Sequence, residues 1–99
     1  MTPGATPIHT FNLPINTEDV AALRITYEQS GKIVFQKEKE DCELKDKQII
    51  VKLSQEDTLK FDSNVIARMQ VKVRTTGGDV LVSEVIKKST NIVLDKEKI

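Results

Sequence analysis

Two stretches, Glu28-Gln29-Ser30-Gly31-Lys32 and Thr75-Thr76-Gly77-Gly78-Asp79, decide the fold. Each sets glycine between runs in which apolar and polar residues alternate. A period of two is the pattern of a half-buried strand, and glycine supplies the left-handed backbone that a tight reversal needs. Before the first reversal, Leu23, Ile25 and Tyr27 share one face, and Arg24, Thr26 and Glu28 the other. Two registers are open across it. A two-residue Ser30-Gly31 loop sets Tyr27 opposite Val34 and Ile25 opposite Gln36. A three-residue Gln29-Ser30-Gly31 loop sets Tyr27 opposite Ile33, Ile25 opposite Phe35 and Glu28 opposite Lys32. The second joins the apolar faces and opposes unlike charges, each such pair contributing roughly 0.2–1 kcal/mol. It is therefore the register expected.

Into the second reversal runs the strongest strand. Val65, Ala67, Met69, Val71 and Val73 form one face; Ile66, Arg68, Gln70, Lys72 and Arg74 form the other. Beyond the glycines, one register buries Leu81, Ser83 and Val85, and the alternative buries Val80, Val82, Glu84 and Ile86. A buried carboxylate without a partner costs more than a buried hydroxyl that bonds locally, so the first is expected. It leaves Val80, Val82 and Ile86 on the outer face, an apolar patch and the candidate interface.

Ile8 to Leu13 alternates as well, with His9, Phe11 and Leu13 on one face, and Pro14 ends it. Ile49, Val51 and Leu53 point inward from another strand, Leu59 and Phe61 follow at period two, and Ile92-Val93-Leu94 extends or adds one. Asn16 to Ala22 reads as a helix start of one or two turns. Ser54-Gln55-Glu56-Asp57 resembles a capping box with aspartate in place of glutamate. Six or seven short strands, with turns at roughly ten-residue intervals, predict an all-β fold. The first expectation is an antiparallel two-sheet sandwich, immunoglobulin-like, with one or two short helical turns; an open small barrel is the second. Without tryptophan or a second cysteine, any such likeness is architectural. Residues 1–7 hold two of the three prolines and read as an extended arm. Residues 8–94 read as a single domain, and 95–99 as a charged tail.

The 99 residues make one domain of ordinary composition, 30% charged and 38% hydrophobic, long enough to fold without metal or cross-link. Lysine plus arginine equals aspartate plus glutamate at 15 each. A neutral chain has no long-range field to gather phosphate or anionic lipid, so neither a nucleic-acid nor a membrane partner is expected. Arg68, Lys72 and Arg74 make a basic stripe without an interleaved aromatic, the mark of a solvated sheet face rather than a base-stacking one. No apolar run is long enough to span a bilayer. The N-terminus does not read as a signal peptide. Cys42 is the only cysteine, which excludes an internal disulfide and suits a reducing cytoplasm.

Chemistry-bearing residues are sparse. His9 is the only histidine and sits in a strand beside Phe11; a nucleophile needs a base next to it. Cys42 lies among Glu40, Asp41 and Glu43, acids that suppress its thiolate. One histidine and one cysteine do not fill a zinc site, and lysines interrupt the acids that calcium would need. The Thr75–Gly78 stretch lacks the Gly-Lys-Ser/Thr ending of a phosphate cradle. No catalytic residue, cofactor or metal is therefore expected. Lys37 to Asp41 reads as a solvated strand end. Its Lys39 and Glu40, with Gly77 and Gly78, form the candidate recognition loops, since loops on a rigid sandwich commonly carry binding.

Three segments carry a resemblance: Thr6-Pro7-Ile8-His9-Thr10-Phe11-Asn12-Leu13-Pro14, Arg24-Ile25-Thr26-Tyr27-Glu28-Gln29-Ser30-Gly31-Lys32, and Val51-Lys52-Leu53-Ser54-Gln55-Glu56-Asp57-Thr58-Leu59-Lys60-Phe61. They resemble a family of small proteins found with phages and prophages of Gram-positive bacteria. The resemblance implies a β-sandwich structural or accessory part of a virion, in the tail or baseplate, that works by contact with protein. Its partner would be a second copy or a larger tail protein. Such a protein would be made in the bacterial cytoplasm and carried in a virion or prophage particle. The alternative expectation is a loop-based module that binds a host-surface glycan or protein.

Overall fold

Period-two segments become strands wherever one face can be buried. The computed structural model describes residues 2–83 and 86–88. Its strands are β1 (Ile8–Asn12), β2 (Val20–Gln29), β3 (Lys32–Glu38), β4 (Glu43–Lys45), β5 (Gln48–Lys52), β6 (Ala67–Thr75), β7 (Val80–Val82) and β8 (Ile86–Lys88), with one short helix, α1 (Gln55–Leu59). One sheet runs β1-β5-β4. The other runs β3-β2-β6, with β7 and β8 pairing successive stretches of the same β6 edge. Every pairing is antiparallel. β3 and β4 belong to opposite sheets and are joined by a single 3-10 turn, Lys39–Asp41, so the chain itself closes that side of the sandwich.

The core lies between the sheets. Phe11, Ile49, Val51 and Leu53 enter it from the first sheet; Leu23, Ile25, Tyr27, Ala67, Met69, Val71 and Val73 enter from the second. These are the inward residues of the period-two runs, and burying each of the larger ones stabilises the fold by roughly 1.5–3 kcal/mol. Phe61 reaches in after α1, where its ring stands edge-on to Tyr27 at 6.0 Å and to Phe35 at 5.4 Å. The Ser54–Asp57 capping box forms as the sequence predicts. Asp57 N–H donates to Ser54 Oγ at 3.1 Å, and Ser54 N–H donates to Asp57 Oδ2 at 3.0 Å.

The first hairpin adopts neither expected register in full. Its loop is the two-residue one, with Ser30 and Gly31 both left-handed at φ 53° and 79°, and Gln29 pairs with Lys32 and Glu28 with Ile33. A bulge then shifts the register, so that Tyr27 faces Phe35 and Ile25 faces Lys37. The extra residue reconciles a tight turn with an aromatic pair whose ring centroids are 4.6 Å apart. Phe35 thus stays on the face of Tyr27 and Ile25, whereas Ile33 is turned out and left 61% exposed.

The other differences are local. The segment after Asn16 makes only a 3-10 turn, Thr17–Asp19, before the strand pattern of Val20 onward takes over. Residues 2–7 are not an extended arm. Ala5 N–H donates to Thr2 O at 3.1 Å, Gly4 takes φ +86°, and Pro3 is buried. The fully buried Thr58 of α1 ties the turn down: its Oγ1 accepts from Gly4 N–H at 2.9 Å and donates to Ala5 O at 2.7 Å. The expectations for Val85, for a strand at 92–94 and for the tail at 95–99 lie outside the described residues.

Candidate interaction site

β7 sets the geometry of the candidate surface. Val73 faces Leu81, so Leu81 takes the inner side of the sheet, while Val80 faces Arg74 and Val82 faces Lys72 on the outer side. This is the expected register, but it does not bury Leu81 as expected: Leu81 is 36% exposed and Ser83 half-buried, beside Val80 and Val82 at 53% and 55%. Ile86 departs from expectation. It faces the buried Met69 and packs against the core rather than lying on the outer face. Between Val82↔Lys72 and Ile86↔Met69 the register slips by one residue, and the slip turns Ile86 inward. Ser83 marks its start. Its N–H donates to Val71 O at 2.8 Å, and its Oγ, instead of a backbone carbonyl, accepts from Val71 N–H at 2.9 Å.

Cations gather beside the two valines. Across the outer face Glu38 lies opposite Arg24, Arg24 opposite Lys72 and Lys72 opposite Val82; in the next row Ala22 lies opposite Arg74 and Arg74 opposite Val80. Arg24 is held by Glu38, its Nε 2.8 Å from Oε1. Further along β6, Arg68 pairs with Glu28, and that hydrogen bond holds the Glu28 carboxyl below its usual range. Neither Lys72 nor Arg74 has an acidic partner among the described residues. Two like charges directly opposite each other, Arg24 and Lys72, destabilise a strand pair.

Round the edge of β7 lies an apolar cleft of about 570 Å³ between the two sheets, lined by Phe11, Leu13, Val73, Leu81, Val82 and Ile86 among others. It opens where β1 and β7, the edge strands of opposite sheets, lie without a connecting turn among the described residues.

The remaining candidates fall elsewhere. His9 Nδ1 shares a 2.8 Å hydrogen bond with the Tyr27 hydroxyl, and the two rings stack at 5.8 Å. Tyr27 is fully buried. Burial first, then the nearby Cys42 and Asp57, pushes its phenol far above the usual range, so it stays protonated. The Cys42 thiol donates to Glu38 O at 3.4 Å. Burial, and then Asp41, pushes it up to about 11, which leaves little thiolate at neutral pH. The two candidate loops meet at one end of the molecule: Lys39 Nζ donates to Val20 O at 3.0 Å, and Thr76 N–H donates to Asp19 O at 2.9 Å. Glu40, Gly77 and Gly78 are exposed there. Among the described residues no three histidine, cysteine or acidic side chains are grouped to hold a metal ion, and no helix is long and apolar enough to cross a membrane.

One residue that patterning passes over organises the opposite end. Gln29 is buried at the tip of β2. Its Nε2 donates to Asp62 O and Val65 O, both at 3.0 Å, and its Oε1 accepts from Asp62 N–H at 2.8 Å. The only hint in the sequence is a glutamine on the strand's inward phase, after Tyr27. Compared with protein-family models, curated proteins and solved structures, the chain matches none.

Proposed function

We propose that this protein is a non-enzymatic contact module of a phage or prophage particle, in the tail or baseplate, which docks on a larger particle protein. The observation that carries the reading is the β7 surface. Val80 and Val82 stand more than half exposed beside Lys72 and Arg74, at a side of the sandwich that no turn closes among the described residues. The likeness of the Thr6–Phe61 segments to phage-associated proteins supplies the setting. In finer detail we read the sandwich as immunoglobulin-like. With β1 to β7 lettered B, C, C′, D, E, F and G, the two strand orders become B-E-D and C′-C-F-G, the order of that fold without its strand A.

The test is mass spectrometry of purified particles, followed by capture of their proteins with the tagged full chain. The protein is expected at a fixed ratio to the other tail components. It should retain one of them, and the double variant Val80→Asp/Val82→Asp should not, while its melting temperature stays close to wild type, as surface substitutions shift stability by only about 0.5 kcal/mol. Absence from the particle and no retained particle protein would overturn the reading. The alternative, loop-based recognition, draws on the shared end of the Lys39–Glu40 and Gly77–Gly78 loops. No aromatic residue lies in either loop to stack on a sugar, and this makes it the second choice.

A further inference from the structure

We propose that β7 receives an extended strand from the partner protein, with apolar side chains turned into the β1–β7 cleft and carboxylates on its outer face. This rests on the contact-module reading and adds the mode of contact and the partner's chemistry. The backbone gives the first reason. Asp79 O accepts from Thr75 N–H at 2.8 Å, and Ser83 N–H donates to Val71 O at 2.8 Å. In an antiparallel ladder bonding residues alternate with outward ones, so Asp79, Leu81 and Ser83 bond to β6. The N–H and C=O groups of Val80 and Val82 then point away from it. No partner for them lies among the described residues.

The other edges supply the second reason. Proteins blunt exposed edges with charge, proline, bulges or a covering loop. β3 carries Lys32, Lys37 and Glu38 and a bulge at its hairpin end. β4 carries Glu43 and Lys45. β1 lies between Pro7 and Pro14 and turns Thr10 and Asn12 outward. β7 is Val-Leu-Val, blunted by its length of three residues and by the register slip that follows, but with no charge, proline or covering loop among the described residues. An added strand would sit against the apolar cleft, where Leu13, Leu81 and Ile86 accept every second side chain.

Charge selects the occupant. A second copy pairing through its own β7 would hold its Lys72 and Arg74 three strand spacings, roughly 14 Å, from these and would offer them no carboxylate, because its outer face there is Val80 and Val82. Carboxylates on the outer face of the incoming strand lie two strand spacings, roughly 10 Å, from Lys72 and Arg74, within reach of those long side chains across Val80 and Val82.

The probe is a short fluorescein-labelled peptide alternating glutamate and valine, titrated into the full chain by anisotropy, with amide shifts read by NMR. Saturable binding is expected, with the largest shifts at Val80 and Val82. A peptide with lysine for glutamate, a peptide N-methylated along its bonding edge, and the Lys72→Glu/Arg74→Glu protein should each bind at least about tenfold more weakly, as expected when about 1.4 kcal/mol is lost. Val82→Pro removes only an outward donor and should do the same; the N-methylated peptide reads the same bonds if that variant does not fold. No saturable binding, equal binding of the lysine peptide, shifts centred away from β7, or a β7-paired homodimer in light scattering would each overturn the proposal. If the particle protein is still captured by Val82→Pro, contact stands and strand addition falls. If the particle holds no partner, the underlying reading falls.

Discussion

At the scale of single residues, the sandwich is pinned by a few polar side chains placed where patterning alone would put apolar ones. Lys37 shows the trade. Its Nζ lies 2.9 Å from Asp57 Oδ2, with both side chains largely out of water, and it also sits 5.5 Å above the Phe35 ring. Burial raises the Asp57 pKa, but the hydrogen bonds from Lys37 and from the Ser54 N–H outweigh it and leave the carboxyl below its ordinary value of 3.8. A depressed carboxylate stabilises the fold above its unfolded pKa, and that contribution is lost as pH falls through the folded one. Lys37→Met should therefore destabilise the protein by about 1–2 kcal/mol near neutral pH. The gap from wild type should close as pH drops below 3.8, where Asp57 takes up a proton in both chains; urea melts across pH measure it. Gln29→Leu should do more, about 3 kcal/mol at all pH values, because it strands three backbone groups of the Asp62–Val65 segment.

At the scale of elements, alternation in Leu23–Tyr27, Ile49–Leu53 and Val65–Val73 predicted the strands and their inward residues, since period two has one outcome when one face must be buried. Both departures are changes of register. Near Ile33 a bulge lets a two-residue turn coexist with the Tyr27–Phe35 pair; between Val82↔Lys72 and Ile86↔Met69 a one-residue slip turns Ile86 to the core. A change of register leaves no periodic trace, because its position is set by which long-range pair gains most, here between aromatic rings or at the Met69 contact. The N-terminal turn was hidden for a related reason. The segment around Pro3 and Gly4 reads as extended until Thr58, more than fifty positions later, supplies partners for Gly4 N–H and Ala5 O. Ser83→Ala should remove the acceptor of Val71 N–H, lower stability by about 1 kcal/mol and speed exchange of that amide while its neighbours on β2 stay protected.

At the scale of the whole molecule, the candidate site was half legible. Val80 and Val82 stand out in the sequence as apolar residues that the register argument places outward. The cleft and the pairing of charges were not legible, since they depend on β1 and β7 coming to the same side of two stacked sheets. Amide exchange offers a global check: β2 and β6, paired on both edges, should exchange slowest, and Val80 and Val82 fast. Protection of those two amides in the isolated monomer would contradict an open edge.

The turn Lys39–Asp41 has a consequence for stoichiometry. By lacing the β3 and β4 margins together it removes one flank from use, and β1 is fenced by its prolines. Among the described residues this leaves one unfenced margin. A subunit that docked through that margin alone would terminate a row instead of lengthening it.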